Sequence, residues 1–390
     1  MKIGVLIDRL NVGGVEKIAI EQVTALRKLG EDASLVVLRE KAVVVDAFPE
    51  LMKGIPVVYL DRRLPRIMRL SFPFPVFSFF SSFHITYPLF LPFVIRKNEF
   101  DYFIVHGTYT SLSAVSFAKT KHIRFSAFIW DPASYILTRV YKNKFFAPVL
   151  WLLKKIAYVF DKFLIKNMDN VLVGGSAHND FIRSLNREKP IRLIYPSVHP
   201  AKKLFKKDDY VLMVTAWKDG KNPEYVLEII NKLPDIQIKM VGKWIDPSYK
   251  QQFEGLVREK GYTNNLEIVG SVSEVKLTNY YAHARVLLQT NDDRGFGMPA
   301  MEAAANGTTF IIPQDQGVCS LFVDSEDGFY TQEKDTGRIT ALLSKLMNNE
   351  DFATDLGAHA WKKVKSNYSW ENHAKKLRQL VSDSLKGYKS

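Results

Sequence analysis

Residues 286–312 of the chain read VLLQTNDDRGFGMPAMEAAANGTTFII. The apolar run Val286–Gln289 predicts a strand, and the run Thr309–Ile312 predicts the next one. Between them, Pro299 suits the first turn of a helix and Gly307 suits its C-terminal stop. Strand, helix and strand in this order are typical of a parallel sheet that helices cover on both faces.

The same alternation of apolar runs and helical patterns extends along the chain. Further strands are predicted at Ile3–Ile7, Ala33–Leu38, Tyr102–Val105, Tyr210–Val214, Ile236–Val241 and Leu266–Val269. Helices are predicted at Val15–Leu29, Glu224–Lys232, Pro247–Lys260 and Trp370–Leu385. The alternation is interrupted at Pro196–Lys206, where proline and lysine replace apolar periodicity. We therefore predict two doubly wound parallel-sheet (Rossmann-like) domains, residues 1–198 and 199–369, facing across a cleft.

The composition is that of an ordinary globular protein of two or three domains. Of 390 residues, 47% are hydrophobic and 24% are charged, which excludes disordered, collagen-like and disulfide-stapled classes. A single cysteine, Cys319, cannot form an internal disulfide or a cysteine-rich metal cluster. Residues 1–8 (MKIGVLID) run into a strand without a signal-peptide pattern, so we expect a cytoplasmic protein.

The net charge of +13 is concentrated in one region of the chain. Residues 51–200 hold 21 Lys and Arg against 8 Asp and Glu, whereas the remainder of the chain is near neutral. Such a region attracts polyanions, which are nucleic acid, an anionic membrane surface or a phosphorylated substrate. The chain shows no nucleic-acid-binding motif, and we expect no nucleic-acid partner.

Within this region, Phe72–Ile95 contains eight phenylalanines and no Asp, Glu, Lys or Arg. Its length would suit a membrane span, but prolines such as Pro88 and Pro92 argue against one, because they break the helical hydrogen-bond ladder. A buried packing unit is one alternative, and a surface that dips into lipid headgroups is the favoured one. The flanking arginines are the predicted membrane or acceptor contacts: Arg62, Arg63, Arg66 and Arg69.

A second segment, Phe145–Lys166, has apolar residues at helical spacing with lysines between them. This pattern predicts an amphipathic helix. Two interpretations stay open at this point: a helix that covers a sheet, and a helix that contacts a membrane.

Three motifs are predicted to carry chemistry. Gly13-Gly14 follows a strand and opens a helix, where backbone amides approach an anionic or polar group. In Gly295-Phe296-Gly297, two glycines precede a short helix whose Glu302 carboxylate suits the two hydroxyls of a ribose. Lys218 and Lys221, beyond the strand Tyr210–Val214, suit the charge of a diphosphate leaving group.

Together with Tyr195–Val198 (YPSV), Val269–Ser273 (VGSVS) and Trp370-Glu371, these motifs resemble the retaining, sugar-nucleotide-dependent glycosyltransferases of GT-B architecture, called family four. The resemblance covers essentially the whole chain, and Gly-Phe-Gly-x-Pro-x-x-Glu-Ala is its specific part. It implies that the second domain holds a nucleoside diphosphate sugar and that the helix at 370–390 packs back onto the first domain. The implied donor-binding residues are Gly13, Gly14, Lys218, Lys221, Gly270, Ser271, Arg294, Gly295, Phe296, Gly297 and Glu302.

Three positions depart from the family pattern. Arg294 stands where the family has the first glutamate of its Glu–seven residues–Glu pattern, and Ala216 stands where it has an arginine. The family histidine after the fifth strand aligns with Trp130-Asp131, so a catalytic role there passes to Asp131 or His106. With Lys221, these two are the predicted catalytic residues, although a lone histidine at a strand end is about as often structural.

The sequence therefore predicts a retaining hexosyltransferase that uses a UDP- or GDP-sugar and a membrane-associated acceptor, either lipid-linked or a glycan. We expect no cofactor and no metal, because Asn291-Asp292-Asp293 offers only a weak divalent site. The expected location is the cytoplasm, peripheral on the inner face of the cell membrane. The rival hypotheses are a catalytically degenerate partner subunit of the same fold and a nucleotide-sugar 2-epimerase.

Overall fold

The apolar runs of the first part of the chain form a seven-stranded sheet. A computed structural model describes residues 1–11, 13–40, 48–69, 73–74, 77–81, 83–130, 132–139, 147–175, 179–185, 189–218, 221–290, 295–332 and 335–387. Contacts divide the chain into two units, of which the first contains Met1–Pro196 and the chain from Trp370 onward. The second unit is Ser197–Ser369.

The first unit contains a parallel sheet in the order β3-β2-β1-β6-β7-β8-β9. Its strands, with a separate antiparallel hairpin of β4 and β5, are β1 (Lys2–Ile7), β2 (Asp32–Val37), β3 (Val57–Tyr59), β4 (Pro73–Phe74), β5 (Phe77–Ser81), β6 (Tyr102–His106), β7 (Arg124–Phe128), β8 (Val171–Val173) and β9 (Ile191–Leu193). Its helices are α1 (Gly14–Lys28), α2 (Pro49–Met52), α3 (Phe83–Val94), α4 (Thr108–Lys121), α5 (Ala133–Arg139), α6 (Ala147–Lys166) and α7 (Asn179–Leu185).

The second unit contains a six-stranded parallel sheet in the order β12-β11-β10-β13-β14-β15. Its strands are β10 (Asp208–Val214), β11 (Ile238–Val241), β12 (Leu266–Gly270), β13 (Ala284–Leu288), β14 (Thr309–Pro313) and β15 (Phe329–Thr331). Its helices are α8 (Tyr225–Lys232), α9 (Pro247–Glu259), α10 (Glu274–His283), α11 (Met298–Ala305), α12 (Thr336–Met347) and α13 (Glu350–Asn367). The predicted class of two parallel α/β sheets is confirmed.

Local sequence explains where several of these helices begin and end. Asp246 caps α9 by accepting hydrogen bonds from the backbone N–H of Ser248 at 2.8 Å and of Tyr249 at 3.4 Å. Ser273 caps α10 in the same way, through the N–H of Lys276. After α1 the chain turns at Gly30, whose φ of +84° favours glycine.

Helix α3 corrects one expectation, because Pro88 and Pro92 lie within it. Pro92 has no N–H to donate to the carbonyl of Pro88, four residues earlier. The hydroxyl of Ser116 in α4 donates to that carbonyl instead, so the missing helical bond is replaced from a neighbouring helix. In the described part of the chain, no helix is both long and apolar enough to cross a membrane.

The last helix, α14 (Trp370–Lys386), packs against α1 in the first unit. A buried chain of hydrogen bonds joins them. His106 Nε2 donates to the Gln22 side-chain oxygen at 2.8 Å, and the Gln22 amide donates to His373 Nε2 at 3.0 Å. His373 Nδ1 donates to the Tyr195 carbonyl at 2.7 Å, and Trp130 Nε1 donates to His106 Nδ1 at 3.3 Å. Both imidazole rings are therefore neutral.

This hydrogen-bond chain predicts acid sensitivity of the first unit. Burial lowers the pKa of His106 to about 3 and that of His373 to about 4, whereas both bind protons near pH 6.5 in the unfolded chain. The free energy of unfolding should therefore fall as the pH drops from 6.5 towards 4, by about 1.4 kcal/mol per pH unit for each histidine.

Urea unfolding at pH 7.5, 6.5 and 5.0 tests this expectation. His106→Gln should be less stable at pH 7.5, and between pH 6.5 and 5.0 it should lose about 2 kcal/mol less than the original chain. His359→Gln, at an exposed position in α13, is the control and should leave the loss unchanged. An unaltered pH dependence in His106→Gln would contradict the proposed neutral state of the ring.

Candidate functional site

The strand order of the second sheet reverses between β10 and β13, which lie side by side. In parallel α/β sheets, a ligand crevice forms where loops leave the carboxyl ends of two such strands in opposite directions. The loop after β10 carries Lys218 and Lys221, and the loop after β13 leads to Gly295, Phe296 and Gly297. The predicted donor-binding residues of the two loops therefore share one edge of the sheet.

Side-chain hydrogen bonds fix these two loops to each other. The Asn222 amide donates to the Thr290 carbonyl at 3.0 Å, and the Thr290 hydroxyl donates to the Lys221 carbonyl at 3.2 Å. The Lys221 N–H donates to the Lys218 carbonyl at 3.1 Å, which closes a turn. Lys218 is exposed and Lys221 is half-buried, and both follow the carboxyl end of β10, the edge at which such a crevice forms.

The glycine loop before α11 is held from its other side. The carbonyls of Gly295 and Phe296 accept hydrogen bonds from the N–H groups of Gly317 at 3.1 Å and Val318 at 2.7 Å. Gly297 has a φ of +90°, and a Cβ there would lie 2.4 Å from the Gln316 side-chain oxygen. This position therefore requires glycine both for its backbone conformation and for space.

Glu302 lies in α11, behind the glycine loop, and one of its oxygens has a fixed partner. The hydroxyl of Tyr281, a buried residue of α10, donates to Glu302 Oε2 at 2.9 Å. Burial, and then the Glu302 carboxylate, raise the pKa of the Tyr281 phenol well above its usual value. Tyr281 therefore stays protonated at all ordinary pH values and keeps its role as the donor in this bond.

Gly270 and Ser271 lie at the end of β12, two strand spacings from β10, or about 10 Å along the sheet edge. Gly270 has a φ of +77°, its carbonyl accepts from the Gly242 N–H at 2.8 Å, and a Cβ on Gly270 would meet open space. Ser271 is exposed. The carboxyl edge thus offers room beyond β12 on the same side as the lysine turn.

In the first unit, Gly13 and Gly14 open α1 directly after β1, as predicted. His106 is at the end of β6, the neighbour of β1, but it is 3% exposed and both ring nitrogens have protein partners. These contacts support the structural alternative for His106. Asp131 and Arg294, like residues 291–293, lie outside the described residues, so their predicted roles stay predictions.

The arginines predicted to meet a membrane are mostly engaged within the first unit. Arg62 pairs with Glu40 and lies over the Tyr59 ring, while Arg63 forms two bonds to Glu99, at 2.8 and 2.6 Å. Arg69 donates to two backbone carbonyls, and Arg66 is exposed. These contacts give three of the four arginines a local structural role.

Sequence reasoning missed Tyr281 and the Asn222–Thr290 bond. Tyr281 stands 21 residues before Glu302. In the sequence it looks like any other aromatic residue on the buried face of a helix. The signal that points to it is topological, because α10 and α11 directly precede and follow the central strand β13 and contact each other.

The two units, each built on a parallel sheet with helices, have the architecture of GT-B proteins. The fold is similar to a sucrose-phosphate synthase from Thermosynechococcus elongatus, with a TM-score of 0.77, 17% identity and 99% of each chain covered. It is also similar to HepE of Anabaena in complex with UDP-glucose, with a TM-score of 0.72, 13% identity, and 98% of this chain and 100% of that chain covered.

Residues 196–363 match the sequence model of the family described as glycosyl transferases group 1. The D-inositol 3-phosphate glycosyltransferase of Corynebacterium urealyticum is 24% identical over 170 residues, which are 41% of this chain and 39% of that protein. The chain thus spans about two fifths of the length of this relative.

The geometry of the glycine loop predicts that adding one methyl group at Gly297 strongly lowers stability. Gly297→Ala should lower the free energy of unfolding of the second unit by about 2 kcal/mol or more, because a non-glycine residue is strained at positive φ and its Cβ meets Gln316 and Val318. Gly255→Ala in α9, where a Cβ meets no atom within 4 Å, is the control and should be neutral or stabilising. Equal thermal unfolding of the two variants would contradict the described loop.

Proposed function

We propose that the chain transfers a hexose from a UDP- or GDP-sugar to a membrane-associated acceptor, with retention of configuration and without a metal. The observation that carries this proposal is the Glu302 carboxylate, which accepts a hydrogen bond from Tyr281 and lies in the helix that follows the glycine loop. Support comes from the family match and from the relatives, one named an inositol phosphate glycosyltransferase and one solved with UDP-glucose. We propose a cytoplasmic protein, peripheral on the inner face of the membrane.

In this proposal the nucleotide lies along the carboxyl edge of the second sheet. Glu302 accepts hydrogen bonds from the ribose hydroxyls, and the base lies near Gly270 and Ser271. Lys221 and Lys218 lie at the diphosphate, between these two positions along the strand order β12-β11-β10-β13. The transferred sugar lies at the glycine loop, Gly295–Gly297.

The lysines act on the leaving group. When the bond from the anomeric carbon to the diphosphate oxygen breaks, its electron pair stays on the diphosphate, and a fixed cation stabilises the new charge. The Asn222–Thr290 bonds hold the turn of Lys221 before the substrate arrives, so little reorganisation accompanies the reaction. Asp131 stays a prediction for the acceptor side.

Binding of a 2′-deoxy nucleotide tests the role of Glu302. The original chain should bind UDP or GDP at least about tenfold more tightly than the 2′-deoxy analogue, because a hydrogen bond to a charged group contributes about 1.5 kcal/mol or more. Glu302→Ala should weaken binding and remove this preference. Tyr281→Phe should reduce the preference, because the carboxylate remains but loses the bond that positions it.

Calorimetry with each nucleotide gives the measurement. Glu259→Ala, at an exposed position at the end of α9, is the matched control and should bind like the original chain. If Glu302→Ala keeps a tenfold preference for the ribonucleotide, the proposed ribose contact is wrong.

Turnover with a panel of UDP- and GDP-sugars, with membrane lipid extract and with EDTA, tests the reaction. We expect one donor to release its nucleoside diphosphate in EDTA, and Lys221→Met to slow release about a hundredfold through loss of charge stabilisation. Lys221→Arg should recover part of the rate, and NMR of the product should show the donor's anomeric configuration. Saturable nucleotide binding without turnover would favour the degenerate partner subunit, and sugar epimerisation without acceptor would favour the epimerase.

A further inference from the structure

Helix α6 has two apolar stripes, and among the described residues only one of them is buried. Leu150, Ala157 and Leu164 are buried and form the inner stripe. The outer stripe is displaced around the helix from the inner one and has alternating spacings of three and four residues, so it runs along one face of the helix. Its members are between 39% and 66% exposed, and they are Val149, Leu152, Ile156, Val159 and Phe163.

A basic ridge runs beside the outer stripe. Lys155, Lys162 and Lys166 follow one another at spacings of seven and four residues, which places them on one side of the exposed face. Lys155 lies 3.8 Å from the centroid of the exposed Trp151 ring, and Lys162 lies 4.6 Å from that of Tyr158. Positive charge and aromatic rings therefore alternate along the edge of the apolar stripe.

The charged side chains on the outer face of α6 are all positive, because the acidic residue of this helix, Asp161, is buried. Asp161 is 2% exposed, and its carboxylate accepts hydrogen bonds from the N–H groups of Ala133 at 3.0 Å and Ser134 at 2.9 Å, at the start of α5. Burial raises the pKa of Asp161, and these bonds oppose the rise. The Asp161 carboxylate is therefore buried and contributes no negative charge to the outer face of α6, which stays basic.

From this juxtaposition we infer that the outer face of α6 docks the protein on an anionic lipid surface. An interfacial helix inserts an apolar stripe between headgroups while lysines at its edge contact lipid phosphates. Snorkelling lysines and a flanking Trp and Tyr suit that depth. A second copy of this chain would instead bring two basic ridges together around the stripe, without acidic side chains on either α6 to balance them.

This docking surface extends the proposed function. It rests on that function in one respect, the proposal that the acceptor is associated with a membrane. It also replaces the assignment from sequence, in which Arg62, Arg63, Arg66 and Arg69 meet the membrane. The exposed apolar residues of α6 and its lysines lie in a single helix, whereas most of those arginines bind neighbouring groups.

Sedimentation of the full chain with vesicles tests the inference without any donor sugar. The chain should bind vesicles of phosphatidylcholine mixed equally with phosphatidylglycerol, and bind pure phosphatidylcholine much more weakly. Lys155→Glu with Lys162→Glu should weaken binding to the mixed vesicles by about tenfold or more, since each surface lysine contributes severalfold. Ile156→Ser with Val159→Ser should weaken it by a similar factor through loss of inserted apolar area.

The matched control changes two lysines that lie over aromatic rings in the second unit. Lys345 lies 4.3 Å from the Phe352 centroid and Lys365 lies 4.3 Å from the Trp361 centroid, and both lysines are exposed. Lys345→Glu with Lys365→Glu alters the net charge by the same amount and should bind vesicles like the original chain. Thermal unfolding and nucleotide binding should stay unchanged in all three double variants, since every substituted residue is exposed.

Three outcomes would overturn the docking surface. They are absence of binding by the original chain, equal binding by the α6 variants, and equal loss in the control pair. Light scattering gives a further check, because a dimer that Ile156→Ser with Val159→Ser dissociates would assign the stripe to a second copy. Failure of sugar transfer leaves this result unaffected, because adsorption is measured without substrate.

Discussion

The parallel pairing of β10 with β13 is the constraint on which the candidate site depends. It makes two loops leave one edge of the sheet in opposite directions, so that neither helix that follows covers the space between them. The Asn222–Thr290 bond then sets the distance between the loops. Tyr281 and Glu302 meet because α10 and α11 flank β13 in sequence and contact each other. This strand pairing thus places the loop of Lys218 and Lys221 and the loop that leads to the glycines at one edge of the sheet.

The first sheet reverses its order in the same way, between β1 and β6, but uses polar side chains there differently. His106 at the end of β6 joins Gln22 and His373 in a buried chain that holds α14. If His106 bound a second proton, its Nδ1 would become a donor. The N–H groups of His106 Nδ1 and Trp130 Nε1 would then face each other without an acceptor between them. The hydrogen-bond pattern and the burial therefore act together to keep the ring neutral, which suits attachment of a helix better than proton transfer.

The sequence predicts the central strands well because they are buried on both faces and read as continuous apolar runs, as in Val286–Gln289. Short edge strands such as β9 and β15 have three residues each and leave no such run. The residue types at the site can also be predicted from the motifs. Glycines before a helix and a glutamate within it are visible in the sequence without knowledge of their contacts. The partner of Glu302 could not be predicted, because Tyr281 reaches it through the fold rather than through sequence spacing.

The ion pairs show which of the positively charged residues in 51–200 are neutralised within the first unit and which form a basic surface. Arg63 and Arg124 form close pairs with Glu99 and Asp169, which makes these arginines part of the first unit's own structure. The lysines of α6 differ, because the acid on their helix is buried and engaged at the start of α5. Since the same helix exposes a continuous apolar stripe, charge and apolar area coincide on one surface. A count of charges along the sequence cannot distinguish paired arginines from this surface, and side-chain geometry can.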